Sequence, residues 1–214
     1  VVVPIDEGTE ITIITGGKEV KIPAFSMWPN GVNPSPTPPG GLRGRLIYVG
    51  RGRLEDFDGK DVVGSIVVME YDSGDNWLNA VRLGARAVVF IGPDHVPPYM
   101  EGLKKFTDTP INFPRLYVPH EYSEEILRLA KEGQEAIVTA RIAWREVEAE
   151  NIIGVLEGEI SDAILITTHY DSWSPVPALA SSAHWIIESG DRTISTHTSA
   201  AEQAGQLAPA PANR

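Results

Sequence analysis

Cysteine is absent from the 214-residue chain. Its absence excludes disulfides, cysteine-ligated zinc and a cysteine nucleophile, although it does not fix the cellular compartment. No run of about 18 apolar residues occurs, so the sequence predicts no membrane-spanning helix. The opening VVVPIDEGTEITI has neither an initiator methionine nor the basic start and long apolar run of a signal peptide. We therefore expect the chain to be a piece of a longer protein.

Basic residues are scarce as well. The chain has 18 Lys and Arg against 29 Asp and Glu, which gives a formal net charge of −11 and a pI of about 4.9. Because no cluster of Lys and Arg offers a local exception, the charge argues against nucleic acid as a partner. Hydrophobic residues at 42% and charged residues at 22% are ordinary for a folded globular chain.

Residues 1–41 are predicted to form two strands and an extended connection. The segments ITII and KEVKIPAF flank Gly16 and Gly17, a pattern typical of a hairpin. Five prolines in residues 29–41 remove backbone donors and fix φ, so this stretch is neither a helix nor a central strand. It is either a rigid surface loop or a recognition segment.

A strand–helix–strand unit is the clearest part of the next predicted domain, residues 42–148. Short β-rich runs at 46–49 and 65–69 are punctuated by glycines. After the helix, residues 87–91 are wholly apolar, which predicts a buried strand packed against that helix. The strands on either side of the helix should be parallel.

Two helices are predicted in this domain. The first spans residues 77–83, with Asp75 as its cap and Gly84 as its stop. The second spans residues 123–131, and Gly133 ends it. Acidic residues in its first turn interact favourably with the positive end of the helix dipole and stabilise the helix.

The rest of the domain is predicted as a loop and a long strand. Residues 92–119 are punctuated by prolines and predicted as loop, and residues 136–144 as strand. One face of this strand carries Val138, Ala140, Ile142 and Trp144. Trp144 is therefore expected to be largely buried. The polar segment that follows suits a domain boundary near residue 148.

Residues 149–177 read as the start of a second domain. Two apolar strands are predicted there, at 152–156 and 163–168. Residues 178–214 are rich in Ala, Ser, Thr, Gln and Pro, so they are predicted to be an irregular or disordered tail.

One segment carries a chemical signature, because an apolar strand runs into His169-Tyr170-Asp171. Side chains alternate along a strand, so His169 and Asp171 lie on the same face at its carboxyl end. A neutral imidazole is a good zinc ligand, and an aspartate two residues on can accept its other N–H. A lone His-x-Asp is common by chance, so a metal-binding role depends on the sequence around it.

Those neighbours form an ordered series of four pieces. The first three lie within residues 42–145 and read GKDVVGSIV at 59–67, RLGARAVV at 82–89 and FPRLYV at 113–118. The fourth is NIIGVLEG at 151–158, followed by an acidic turn and the strand into HYDSW. The order of these pieces resembles a protease-associated (PA) domain followed by the opening of the catalytic domain of the two-zinc aminopeptidases, the family of aminopeptidase Y, glutamate carboxypeptidase and the transferrin receptor. The resemblance covers roughly residues 25–177.

The resemblance implies a metal role for two residues. His169 matches the family's first zinc ligand and Asp171 the partner that orients it. The family then requires an aspartate that bridges two metals, where this chain reads Pro177-Ala178-Leu179-Ala180-Ser181-Ser182. Its remaining ligands have no candidates downstream. Since a catalytic zinc normally needs three protein ligands, we expect both residues to be vestigial and this chain to hold no cofactor.

Two explanations fit the abrupt end of the resemblance near Val176. Foreign sequence follows a piece of the enzyme, or a frame-shift has replaced the metal-bridging stretch. The sharp change in composition favours the frame-shift.

Other polar residues are interpreted structurally. His95 and His120 lie beside prolines in loops and are read as solvated or turn-capping. Asp72, Asp75 and Asn76 precede a helix and are interpreted as its cap. A calcium site is the alternative, but it requires six or more oxygen ligands.

The sequence thus predicts an α/β (α+β) chain. A β-rich PA-like domain with two short helices is followed by the opening strands of an incomplete zinc-peptidase sheet. The resemblance implies an accessory domain for substrate access or interaction, catalytically inactive in this form, with a protein or peptide as partner. An active zinc exopeptidase completed by another chain and an unrelated small-molecule-binding module are the alternatives. The sequence leaves open whether the chain forms a homodimer. It also leaves the compartment open, and the resemblance is compatible with a parent protein that is extracellular or membrane-associated.

Overall fold

The computed structural model describes residues 1–16, 18–30, 32–95, 97, 99–107, 110–150, 153–155, 164–167, 183–189 and 192–198. Within these ranges three α-helices occur: α1 (Trp77–Arg82), α2 (Tyr99–Leu103) and α3 (Ser123–Lys131). The strands are β1 (Val2–Thr15), β2 (Lys18–Pro23), β3 (Phe25–Ser26), β4 (Leu42–Tyr48), β5 (Ile66–Glu70), β6 (Ala87–Ile91), β7 (Arg115–Val118), β8 (Glu135–Glu146), β9 (Ile164–Thr167), β10 (Ala183–Ser189) and β11 (Arg192–Thr198).

Eight strands form one mixed sheet in the order β2-β1-β8-β4-β5-β6-β7-β3. Strands β4, β5, β6 and β7 run parallel to one another, whereas the pairs on either side of them are antiparallel. The fold is therefore mostly β with few helices, and it fits the predicted α/β class only in part.

The first two strands confirm the predicted hairpin, since β1 and β2 pair antiparallel up to Thr15 and Lys18. Strand β1 also pairs with β8, so the N-terminal strands belong to the same sheet as residues 42–146. A β-bulge interrupts that pairing between Asp6 and Thr9. There the Asp6 carboxylate accepts a hydrogen bond of 2.8 Å from the backbone N–H of Ser26 in β3, the strand at the far end of the order. This contact brings the two ends of the sheet together and nearly closes it.

The parallel strand–helix–strand unit is confirmed. Strands β5 and β6 flank α1 in sequence and pair parallel from Ile66–Ala87 to Glu70–Ile91. Every residue of β6 is buried, because both faces of the sheet are covered here. Ile66, Val68 and Val89 face a core shared with α3, while Val67, Met69 and Phe90 face a second core shared with α1.

The boundaries of α1 correct one prediction and confirm another. Its N-cap residue is Asn76, and no side chain makes a capping hydrogen bond, so Asp75 is not the cap. The Asn76 side chain instead donates to the carbonyl of Arg51 at 2.9 Å. Gly84, with φ +83°, ends the helix as predicted, in a conformation that glycine adopts without steric cost.

Residues 92–119 are not loop throughout, because they contain α2 and β7. Strand β7 continues the parallel sheet, and its four residues are buried. Its first residue, Arg115, donates to the carbonyls of Trp28, at 2.7 Å, and Lys105. The guanidinium also lies 5.1 Å from the centre of the Trp77 ring, so carbonyls and aromatic faces replace the water that this cation loses.

The predicted helix at 123–131 and the strand at 136–144 are confirmed as α3 and β8, but Trp144 is not largely buried. Val138, Ala140 and Ile142 are within the core, whereas Trp144 is 38% exposed. Beyond the bulge, β1 and β8 run past the core as a two-stranded ribbon in which Trp144 pairs with Pro4. The Trp144 indole donates to the carbonyl of Val32 at 3.0 Å.

Strand β9 confirms the predicted strand at 163–168 over its four described residues, but it pairs antiparallel with β10 and lies in no parallel sheet. Residues 153–155 form no regular structure, and Ile153 and Val155 are each 83% exposed, which corrects the strand predicted at 152–156. Strands β10 and β11 pair antiparallel inside the stretch predicted to be irregular. Among the small and polar residues of this stretch lie β-branched ones, such as Ile186, Ile187 and Ile194, which favour strands. The predicted domain boundaries remain predictions.

Helices in the described ranges are all short, the longest being the nine-residue α3. None of them has the length and apolar character that crossing a membrane requires.

Candidate functional site

The two predicted metal-site residues, His169 and Asp171, lie outside the described residues. Their predicted role stays a prediction. Across the described ranges, no group of three or more His, Asp and Glu side chains is placed to hold a metal ion.

A cleft of about 290 Å³ opens at the carboxyl ends of β5, β6 and β7. This is the edge of a parallel sheet at which ligands bind in open α/β folds. Each wall is the chain that follows one strand, and the N-terminus of α3 closes the far side. The lining residues are Glu70, Tyr71, Asp72, Ile91, Gly92, Pro93, Asp94, His95, His120, Ser123, Glu124 and Leu127.

Gly92 forms the corner that joins these walls. Its backbone N–H donates to the carbonyl of Val118 at 2.8 Å. Its carbonyl accepts from the Ser123 hydroxyl at 3.0 Å and from Nδ1 of His120 at 3.2 Å, so that nitrogen carries the proton. A Cβ at Gly92 would lie 2.6 Å from the Tyr117 hydroxyl and 2.7 Å from the backbone nitrogen of His120. Only glycine allows so close an approach.

His95 bridges two carboxylates at the mouth of the cleft. Its Nε2 lies 2.9 Å from Asp72 and its Nδ1 lies 3.1 Å from Asp94. The hydrogen bond with Asp94 raises the pKa of His95, and the charge of Asp72 raises it further. The same hydrogen bond lowers the pKa of Asp94. Both ring nitrogens donate only in the protonated imidazole, so the full bridge requires the cation.

Asp72 has one oxygen in this bridge and one that is buried. The second oxygen, Oδ1, accepts no hydrogen bond within the part of the chain that the structure describes. A buried acceptor without a donor is costly, so this carboxylate is less well stabilised than one with all its acceptors paired.

Two tyrosines border the acidic groups. The Tyr48 hydroxyl donates a hydrogen bond to Glu70. The pKa of Tyr48 is raised, mainly by burial and to a lesser extent by this hydrogen bond. Tyr71 is fully buried, and its ring meets the edge of Tyr117 at 5.6 Å between ring centres. Burial raises the pKa of Tyr71, so it stays neutral at ordinary pH.

A buried lysine lies behind Tyr71. The ammonium of Lys105 donates to the carbonyl of Gly74 at 2.8 Å and lies 5.0 Å from the centre of the Tyr71 ring. One carboxylate, Glu101, lies 3.6 Å away. Burial lowers the pKa of Lys105 to about 8. This cation is enclosed by its neighbours and is not among the residues that line the cleft.

A second hollow, of about 440 Å³, continues the cleft along α3. Glu124 and Leu127 line both. The second hollow also meets Lys131, whose ammonium lies 5.6 Å from the centre of the Tyr48 ring, and Arg128, which pairs with Glu132 at 2.7 Å. Together the two hollows form a groove with an acidic end at the strands and an end of balanced charge on the helix, where two basic and two acidic residues line the second hollow.

Sequence reasoning missed this cleft. His95 and His120, interpreted from the sequence as solvated or turn-capping, are exposed, and both also line the cleft. Asp72, interpreted as part of a helix cap, pairs with His95 across two loops. One available signal was that polar residues follow β5 and β6, the two strands predicted to be parallel.

Comparison with known proteins gives a distant likeness in fold. No family model matches the chain, and no curated protein matches it. Three similar solved structures are an aminopeptidase from Aneurinibacillus sp. strain AM-1 (17% identity, 67% of this chain and 35% of that one, TM-score 0.45), a peptidase M28 precursor from Shewanella amazonensis SB2B (12%, 68% and 37%, 0.44) and a psychrophilic subtilisin-like protease from Pseudoalteromonas sp. AS-11 (13%, 66% and 35%, 0.40). The chain spans little more than a third of the length of each.

Proposed function

We propose that this chain carries a PA-type accessory domain that binds a protein or peptide segment, in a protein related to the zinc aminopeptidases, and that it does not hydrolyse peptides itself. The cleft at the carboxyl edge of β5, β6 and β7 is the observation that carries the binding role. The order of the four sequence pieces within residues 42–158 supports the PA-type assignment.

The chemistry of the cleft favours binding over catalysis. Catalysis by a nucleophile needs a hydroxyl or thiol beside a base that is free to take its proton. The Ser123 hydroxyl instead donates to the Gly92 carbonyl, and both ring nitrogens of His95 face carboxylates. His120 donates from Nδ1 to the same carbonyl, and among the described residues no hydroxyl is hydrogen-bonded to its Nε2. The groups of the cleft thus hold one another in place, which suits a preformed binding surface.

The sequence supports the lack of hydrolysis. Zinc serves the family that the chain resembles, but the stretch that should supply the metal-bridging aspartate, residues 177–182, contains no carboxylate. His169 alone does not hold a catalytic zinc, which takes three protein ligands and a base for the attacking water. The alternative is an active zinc exopeptidase whose missing ligands come from another chain.

Zinc content and hydrolysis separate these two functions. After incubation with zinc and dialysis, we expect the chain to retain no stoichiometric zinc and to leave aminoacyl-nitroanilides intact. Hydrolysis that is lost in His169→Ala would establish the alternative.

Backbone amide NMR tests the binding role. A blocked neutral peptide, Ala-Leu-norleucine-Leu-Ala, should shift the amides of Gly92, His95 and Leu127. Leu127→Ser, at the junction of the two hollows, should weaken this binding. Val63→Ser is the matched control, because Val63 is an exposed apolar residue that precedes β5 and so lies at the opposite edge of the sheet. Shifts confined to other surfaces would contradict a binding role for the cleft.

A further inference from the structure

We propose that the cleft selects a peptide segment bearing a lysine or arginine side chain, whose cation enters the acidic end while the flanking chain lies along α3. This inference rests on the proposed binding function and adds the chemistry of its ligand.

Charge is the first argument. Four carboxylates line the cleft: Glu70, Asp72, Asp94 and Glu124. Among the described residues that line it, none is Lys or Arg, and protonated His95 offsets only one of the four negative charges. The cleft is therefore complementary to a cation, and its partly enclosed walls strengthen the attraction relative to open water.

The unsatisfied oxygen of Asp72 is the second argument. Asp72 Oδ1 is buried and accepts no hydrogen bond from any described residue, although the other carboxylate oxygen pairs with His95. An ammonium or guanidinium group brings several N–H donors on a flexible stem. About a quarter of the Asp72 side chain is exposed (25%). A ligand cation that meets it there neutralises a carboxylate whose buried oxygen has no donor among the described residues.

The apolar surface of the cleft is the third argument. Ile91 and Leu127 line it between the charged groups, with Pro93 beside them. Lys and Arg bury their methylene stems on apolar surface while their charged ends meet polar partners. A compact inorganic cation has no stem to use this surface.

An anionic ligand fits less well, although the N-terminus of α3 faces the cleft. The first turn of α3 already carries Glu124 and Glu125, which occupy the favourable position for negative charge. The Ser123 hydroxyl is engaged with Gly92 and is not available to an incoming phosphate or carboxylate.

The second hollow makes a peptide, and not a free amine, the occupant. It shares Leu127 with the cleft and extends past Arg128 and Lys131. A free amine would fill only the acidic end. A peptide backbone continuing from the basic residue covers both hollows, and an acidic side chain on the far side of the segment would meet Lys131.

Three blocked peptides that differ at one central residue test this selection on the full chain: Ala-Leu-X-Leu-Ala with lysine, norleucine or glutamate at X. Norleucine keeps the stem of lysine without its charge. We expect the lysine peptide to bind about 3- to 10-fold more tightly than the norleucine peptide, an advantage that shrinks at high salt, and the glutamate peptide to bind most weakly.

The variant pair Asp94→Asn/Glu124→Gln removes two exposed carboxylates from the cleft and should abolish most of the advantage of lysine over norleucine. Asp58→Asn/Asp61→Asn is the control. It changes the net charge equally at exposed positions that precede β5, at the opposite edge of the sheet from the cleft. The control pair should keep the preference for lysine.

Each other outcome has a definite meaning. Equal binding of all three peptides with shifts at Gly92 and His95 would overturn the inference and leave the proposed function standing. Shifts located elsewhere, or none with any peptide, would overturn both. If butylamine alone reproduced the shifts of the lysine peptide, or if cleft amides shifted with protein concentration in the absence of peptide, the occupant would be a free amine or a second copy of the chain, and the inference would be wrong.

Discussion

Two tryptophans with similar polar contacts and different burial give the sharpest test of the fold. The indole of Trp77 donates to the carbonyl of Lys104 at 3.1 Å, and that of Trp144 donates to the carbonyl of Val32 at 3.0 Å. Trp77 is 0% exposed and Trp144 is 38% exposed. Since the hydrogen bonds are alike, the difference between Trp77→Ala and Trp144→Ala measures packing.

The magnitudes follow from the buried area. A tryptophan buries roughly 150–250 Å², worth about 4–6 kcal/mol at ~25 cal/mol per Å², and Trp→Ala in a core costs about 3–5 kcal/mol. Trp77 also stacks on Phe113 and lies under the Arg115 guanidinium, so its removal leaves an enclosed cavity beside a buried cation. We expect Trp77→Ala to lower the free energy of unfolding by about 3–5 kcal/mol.

Trp144→Ala should lower the free energy of unfolding by less than Trp77→Ala does. Roughly three-fifths of the area gives at most about 2–4 kcal/mol, and a compact unfolded chain reduces this figure. Neighbours of a site that is open to solvent relax into the space, so we expect about 1–2 kcal/mol. Urea unfolding followed by far-ultraviolet circular dichroism measures both variants, because fluorescence would itself change with the loss of a tryptophan. Equal losses would refute the placement of Trp144 on a ribbon outside the core.

Two further predictions concern the buried lysine and the cleft corner. Burial lowers the pKa of Lys105 to about 8, below its value in the unfolded chain, so the unfolded state binds more protons and stability rises by about 1.5 kcal/mol from about pH 8 to about pH 9.5. Urea titrations at the two pH values should show a change in stability that is more positive in the parent chain than in Lys105→Met by about that amount. The tyrosines with raised pKa values oppose the rise equally in both chains, so the difference isolates Lys105. Gly92→Ala should destabilise the chain by about 1–3 kcal/mol, because its Cβ meets backbone atoms of the neighbouring strand and loop. Gly154→Ala, where a Cβ meets nothing within 4 Å, should leave the unfolding midpoint unchanged.

The sequence correctly predicted the elements in which the spacing of apolar residues along the chain matches the side chains that are buried in the fold. Residues 87–91 are apolar throughout, and the strand they form is buried on both faces. Helix α3 repeats its apolar residues at Ile126, Leu129 and Ala130, all of which are buried. The glycine at position 84 marked the end of α1 because few other residues adopt its φ.

The failures arise where distant parts of the chain decide the outcome. Strand β7 has four residues and begins with a charged one, and it is a strand because β6 and β3 flank it in space. Trp144 lies on the same face of the strand as Val138 and Ile142, but the strand extends beyond the core at that position. The bulge at Asp6 that ends the regular pairing of β1 and β8 leaves no periodic signal in the sequence.

The location of the cleft follows from where the chain changes direction within the sheet. The described pairs outside β4–β7 are antiparallel, so carboxyl and amino ends of strands alternate along their edges. The parallel strands instead place the ends of β5, β6 and β7, and the residues that follow them, at one edge. The short turn after β7 leads directly into α3, so the positive end of that helix meets the same edge. Several carboxylates are tolerated together there because the helix end and the hydrogen bonds with His95, whose pKa they raise, stabilise negative charge. The position of the cleft at the ligand-binding edge therefore has a topological cause, which is why the residues that line it lie far apart in the sequence.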